Sequence, residues 1–182
     1  PRDRRLDAVV RDHAAQFAGA IIMPNTKPHV TTVAQVLAYR KAILAAPRDH
    51  AYLPLMTVSL TPSMTRNDLM SCLACEHVVA VKFYAGTTTN ADGIDNITLF
   101  DWAFELIERS GKPLLVHGEA AHPVEIMDRE RRFWGTSGVY LVEKFPGLKI
   151  SAEHISTAYL VDFVKNAREG VVGTITGHHL HT

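Results

Sequence analysis

Cysteine is nearly absent from the 182 residues: Cys72 and Cys75 are the only two, too few for a disulfide framework. An excess of one charge sign is missing as well. Nineteen basic residues balance nineteen acidic ones, which excludes the large single-sign field that draws a protein to nucleic acid or anionic lipid. No stretch approaches the roughly 18 uninterrupted apolar residues of a membrane span. The opening Pro1-Arg2-Asp3-Arg4-Arg5 leads into a mixed polar and apolar segment rather than the apolar core of a signal peptide. Neither standard glycine-rich phosphate loop occurs, which argues against a nucleotide fold, and there is no internal repeat or low-complexity tract. A soluble, cytoplasmic chain is expected, with neither nucleic acid nor membrane as a partner.

What is present is a real core and ten histidines. The apolar fraction of 47% suits a single domain over residues 1–182. Short runs rich in Val and Ile recur at Ala18 to Met23, Leu53 to Leu60, Val78 to Tyr84, Pro113 to Val116, Leu148 to Ala152 and Val171 to Thr176. These read as strands buried on both faces. Between them lie segments of helical spacing: Leu6 to Phe17, Val33 to Leu44 behind a Thr31-Thr32 cap, Asn67 to Cys75, Ile97 to Ile107, Pro123 to Phe145 with a break near Gly135, and Thr157 to Ala167. Strands alternating with helices imply crossovers and a parallel sheet.

The strand ends choose between an open sheet and a barrel. Asn25, Ser59, Lys82, His117, His154 and His178 fall at the C-terminal ends of successive apolar runs. In a barrel these ends converge on one mouth, where active sites of that fold sit, whereas an open sheet spreads them along a line. The pattern favours a (β/α)8 TIM barrel. A complete barrel takes about 250 residues, so this one is expected to be incomplete, with about six βα units.

Two histidines closing neighbouring strands, His117 and His154, would stand within reach of one ion, and neutral imidazole suits zinc. A lone histidine at such a place is more often a hydrogen-bonded structural residue. Lys82 is stranger, since an ammonium inside Val79-Ala80-Val81-Lys82-Phe83-Tyr84 has to snorkel, pair with an acid, or lose its charge. A salt-bridged lysine is the commoner outcome; carboxylation to a metal-bridging carbamate is another. The remaining candidates read blandly. Cys72 and Cys75 have metal spacing but no second pair, and read as packing. His178, His179 and His181 form a terminal cluster. Arg129, Arg131 and Arg132 with Glu130 read as a solvated helix face of paired charges, and Asp128 and Glu130, two apart, face differently.

Several of these segments together resemble the dihydroorotase family, in its shorter bacterial type, within the amidohydrolase superfamily. They are Ala20-Ile21-Ile22-Met23-Pro24-Asn25 with Lys27-Pro28-His29-Val30-Thr31-Thr32, Val81-Lys82-Phe83-Tyr84 with Thr88-Thr89-Asn90, Leu115-Val116-His117-Gly118-Glu119, Asp128-Arg129-Glu130, Glu153-His154-Ile155-Ser156-Thr157, and Thr174-Ile175-Thr176 before His179-Leu180. The match runs in order through practically the whole chain. It implies a metal-dependent hydrolase barrel with two zinc ions bridged by carboxylated Lys82. His117 and His154 would be ligands of one ion, Asn25 and His117 would lie at the substrate, and Thr88 and Thr89 would sit on a closing loop.

The resemblance also implies an activity: reversible cyclisation of N-carbamoyl-L-aspartate to dihydroorotate in pyrimidine synthesis, with that small molecule as partner and a homodimer as a possible assembly. Departures matter too. The family's His-x-His strand has no counterpart here, Arg2-Asp3 is at most a remnant of the family's Arg-Asp pair, and the catalytic aspartate of the last strand would fall beyond Thr182. The chain therefore reads as an internal portion lacking the first and last barrel strands. Two alternatives remain: another cyclic amidohydrolase such as a hydantoinase, and a non-catalytic barrel fragment or interaction subunit.

Overall fold

The computed structural model describes residues 5–85, 96–121 and 123–181. They fall into two compact units, Pro1–Ala80 and Val81–Thr182. In the first, α1 (Leu6–Ala14), β1 (Gly19–Ile22), α2 (Val33–Ala45), β2 (Leu53–Leu60) and α3 (Arg66–Ala74) alternate as the hydrophobic pattern demands. Strand β1 runs parallel to β2, with Gly19 opposite Leu53 and Ile22 opposite Met56. Helix α2 begins in a full capping box: the Thr32 side chain accepts from the Gln35 amide, and the Gln35 side chain accepts from the Thr32 amide. Thr65 caps α3 through the Asp68 amide. Val36, Tyr39 and Ile43 of α2 and Leu69 and Cys72 of α3 are buried, as are Met56, Val58 and Leu60 of β2. The Cys72 thiol lies 3.7 Å from the Thr31 carbonyl, in the core, as a packing residue does.

Strand β3 (Val78–Ala85) starts in the first unit and ends in the second. The second unit continues through a 3-10 turn (Ile97–Phe100), α4 (Asp101–Ser110), β4 (Leu114–Gly118), α5 (Arg129–Phe133), α6 (Val139–Lys144), β5 (Ile150–Ala152), α7 (Ala158–Asn166) and β6 (Val171–Gly173). All its pairings are parallel: Tyr84 lies opposite His117, Leu115 opposite Ser151, and Ala152 opposite Gly173. Phe83, Phe100, Phe104 and Phe145 meet edge to face, with centroids 5.5–5.8 Å apart along the chain of contacts, which holds α4 and α6 on the sheet. Helix α4 stops at Gly111, whose φ of 70° is the left-handed conformation a helix C-terminus favours.

Two expectations are refined. The helix between Pro123 and Phe145 does not break at Gly135. It winds through a π-helical turn, Trp134–Gly138, that joins α5 to α6. This turn seats the Trp134 indole over Gly118, where a β-carbon would stand 2.3 Å from the indole nitrogen. The outer strands are also not buried on both faces: Ile21 of β1 is 47% exposed and Val172 of β6 54% exposed. No helix of the described residues is long and apolar enough to cross a membrane.

Candidate metal centre

The second unit brings Lys82, His117 and His154 together. Parallel register sets the face. Lys82 lies opposite Leu115, Tyr84 opposite His117, and Leu115 opposite Ser151, so the period-2 alternation of strands places Lys82, Tyr84, His117 and Ser151 on one side. Glu153 follows in step, and the Ser151 hydroxyl donates to it at 2.6 Å. Continued alternation would carry residue 154 to the opposite face. Instead, past the strand's end at Ala152, His154 takes φ 47°, and its Nε2 lies 2.8 Å from Nδ1 of His117.

The electrostatics fit donors rather than cations. Burial is the main reason that the His117 imidazole is pushed down to about 4, with His154 and Lys82 adding to it. Burial and Lys82 also lower His154. Both rings are thus pushed toward the neutral form; in their 2.8 Å contact one facing nitrogen donates its N–H and the other accepts, so binding a shared ion needs the donor ring to take its other tautomer. Lys82 is 3% exposed, and burial lowers its ammonium to about 8 against the opposing pull of Glu153. Tyr84, under Lys82 with 5.1 Å from Nζ to the ring centroid, is pushed up to about 12 by burial and by Glu153, and stays a neutral phenol. Glu119 approaches the far nitrogen of His117 at 3.6 Å.

Two ligands on one tetrahedral zinc stand about 3.3 Å apart, given bonds of about 2.0–2.1 Å. The two imidazole nitrogens, at 2.8 Å, need only a small opening to share an ion. Among the described residues, however, no group of three or more His, Cys, Asp or Glu side chains could hold a metal. Among the described residues Lys82 is the buried group whose charge acts on both rings, and an amine with lowered basicity is the kind that gains an anionic group. The donor set fits zinc on that condition.

Asn25 belongs to the first unit, exposed just past β1 in a pocket shared with Leu6, Val10, Tyr39 and Tyr52. Thr88, Thr89, Arg2 and Asp3 lie outside the described residues. His178 and His179 share the Thr176 hydroxyl at 3.2 and 2.8 Å in an exposed 3-10 turn. Sequence reasoning passed over Tyr84, Glu119 and Glu153 as members of the site; each stands two residues from, or next to, a residue it did select, so strand alternation was the available signal. It misread Glu130, which is buried rather than solvated. A carboxylate flanked by arginines carries no local mark of burial.

No protein-family model matches the chain. A curated dihydroorotase of Cupriavidus necator is 47% identical over 179 residues, 96% of this chain and 52% of the relative. The crystal structure of dihydroorotase from Campylobacter jejuni superposes with a TM-score of 0.88 at 33% identity, covering 99% of this chain and 52% of that one. L-hydantoinase from Arthrobacter aurescens has a TM-score of 0.76 at 16% identity, over 99% of this chain and 44% of that one. That likeness concerns the fold alone. The chain spans about half the length of the curated relatives it matches, and the six strands of its described residues fit an incomplete barrel of the kind those solved structures have.

Proposed function

Since the chain is homologous to dihydroorotases over 96% of its length, we propose that the protein it represents is a dihydroorotase, a metal-dependent hydrolase that interconverts dihydroorotate and N-carbamoyl-L-aspartate. The observation that carries the reading is the pair of neutral imidazoles, His117 and His154, facing each other at 2.8 Å at the ends of neighbouring strands. Zinc bound there would supply a Lewis acid for the ring carbonyl and a water of lowered pKa. His117 and His154 would hold one ion by their lone pairs.

Lys82 contributes through its basicity. Near neutral pH a group of pKa about 8 keeps about a tenth of its molecules as free amine. That amine can add to carbon dioxide, forming an N–C bond and releasing one proton, and the product is a carbamate with two donor oxygens. Such an anion would bridge two zinc ions in the longer protein. Tyr84, held as a phenol, lies on the same face of the sheet with its ring centroid 5.1 Å from the Lys82 Nζ. Asn25, with an amide suited to a substrate carboxylate, and Thr88 and Thr89, with their hydroxyls, are proposed as substrate contacts on the likeness to dihydroorotases. Action in the cytoplasm is proposed on the likeness to dihydroorotases.

The test compares the 182-residue chain with a version extended to the length of its relatives. Zinc is measured after dialysis, and dihydroorotate hydrolysis is assayed on both. The short chain is expected to retain at most one zinc and to turn over nothing measurable, because a positioned acid or base alone contributes about 10²–10⁴-fold and the expected aspartate lies outside it. The long version should be active, and Lys82→Ala or His154→Ala should abolish that activity. A long version that hydrolyses hydantoins in preference to dihydroorotate, or that holds no metal, refutes the proposal.

A further inference from the structure

Glu130 sits on α5, yet only 8% of it is exposed. Its carboxylate reaches the loop between β5 and α7. There Oε1 accepts from the Ser156 amide at 3.0 Å and from the Ser156 hydroxyl at 3.2 Å, while Oε2 accepts from the Thr157 amide at 2.8 Å and from the Thr157 hydroxyl. Four donors satisfy one buried carboxylate, which is how a buried charge becomes tolerable.

On the other side of the same loop stands Thr174. Its hydroxyl accepts from the His154 amide at 2.8 Å and its carbonyl from the Ile155 amide at 2.9 Å. Four consecutive backbone amides, 154 to 157, are thus all held, the first two by Thr174 and the last two by Glu130. The first residue of this clamp is the left-handed His154, φ 47°. For a residue with a β-carbon that conformation is strained and persists only where the surroundings over-determine it. The imidazole it aims lies 2.8 Å from His117.

We infer that Glu130 is a positioning residue for the His154 imidazole, acting through the Ser156 and Thr157 amides together with Thr174. A cap for α7 is not its purpose, because Thr157 already caps that helix through the Leu160 amide. The inference deepens the proposed metal site and rests on it for its catalytic meaning, but the ring placement can be read without any metal.

The experiment uses the version extended to the length of its relatives, labelled with ¹³C and ¹⁵N, as wild type and as Glu130→Ala, Glu130→Gln, Thr174→Val and Leu160→Ala. Through-space NMR contacts between the His117 and His154 rings are recorded first without metal, then zinc alone is titrated. In Glu130→Ala the ring contact should disappear, amide exchange at Ser156 and Thr157 should speed up, and zinc affinity should fall about 10–100-fold, the usual effect of removing an outer partner of a metal ligand. Glu130→Gln keeps one acceptor and turns an NH₂ toward the other amide, so it should lie between.

Leu160→Ala weakens α7 from its buried side, where Leu160 is 1% exposed, and should keep the ring contact. If it loses the contact as Glu130→Ala does, the role is structural and the inference falls. It falls also if both Glu130 variants keep the wild-type ring contact. Should Glu130→Ala not fold, Glu130→Gln and Thr174→Val decide by the same contact. A wild type that keeps its ring contact but binds no zinc overturns the metal reading, and the variants still settle Glu130.

Discussion

Replacing Lys82 by methionine should stabilise the protein, and by an amount that depends on pH. Lys82 is 3% exposed and its ammonium is lowered from 10.5 to about 8, mainly by burial. A lysine whose folded pKa lies below its unfolded one is proton-poor in the fold, so stability rises with pH between the two values. Below pH 8 the full cost applies: a gap of about 2.5 units at 1.36 kcal/mol each is about 3 kcal/mol. By pH 10 most of it has gone, and about 1 kcal/mol remains.

Methionine has a similar length and no charge to bury. Urea unfolding of both proteins at pH 7 and pH 10, without metal, should therefore show Lys82→Met ahead by about 3 kcal/mol at neutral pH and by about 1 kcal/mol at the alkaline one. With zinc and dissolved carbon dioxide present, the wild type alone gains a ligand. At 100 times the dissociation constant that restores about 2.7 kcal/mol, closing the gap at pH 7. A gap that does not change with pH, or a variant less stable than the wild type at pH 7, refutes the claim that Lys82 is buried at a cost awaiting its modification.

Three further outcomes are expected. His117, lowered to about 4, is protonated earlier when unfolded than when folded, so stability should fall as pH drops from about 6.5 toward 4. In His117→Asn that loss should be smaller, and the wild-type ring should show no NMR titration above pH 5. Gly118→Ala would press a β-carbon to 2.3 Å from the Trp134 indole and should cost about 1–3 kcal/mol, with a changed tryptophan emission; an unaltered spectrum and melting temperature would contradict the packing described. Outer strands that expose Ile21 and Val172 invite edge pairing. The 182-residue chain should associate in sedimentation at micromolar concentration, and a monodisperse monomer would count against it.

The central strands and most helices were legible because strands covered on both faces demand unbroken apolar runs, and because Thr32 announces a helix start by local chemistry. Lys82, His117 and His154 were legible for the same reason: polar residues interrupting or ending such runs stand out. Glu130 was not, since its burial depends on Ser156 and Thr157, 26 and 27 residues away. Nor was the passage through Gly135, because a glycine reads as a break when nothing local reveals the indole that the winding has to deliver to Gly118. The left-handed turn at His154 had no sequence mark at all, being imposed from both sides by side chains that are distant in sequence.

The π-helical turn at Trp134–Gly138 makes this region intolerant of changes in length. It accommodates one residue more than α-helical winding would. Deleting Thr136 would let the chain relax into a regular helix, and that relaxation would swing everything before it by about 100° relative to α6, the angle one residue occupies on a helix. Trp134 would leave Gly118, and Glu130 would rotate away from Ser156 and Thr157. A single codon lost on the outer helical layer would thus disarm the mouth of the barrel without touching one residue there. The residue count of the turn is locked to the aim of a histidine that lies just past the end of β5.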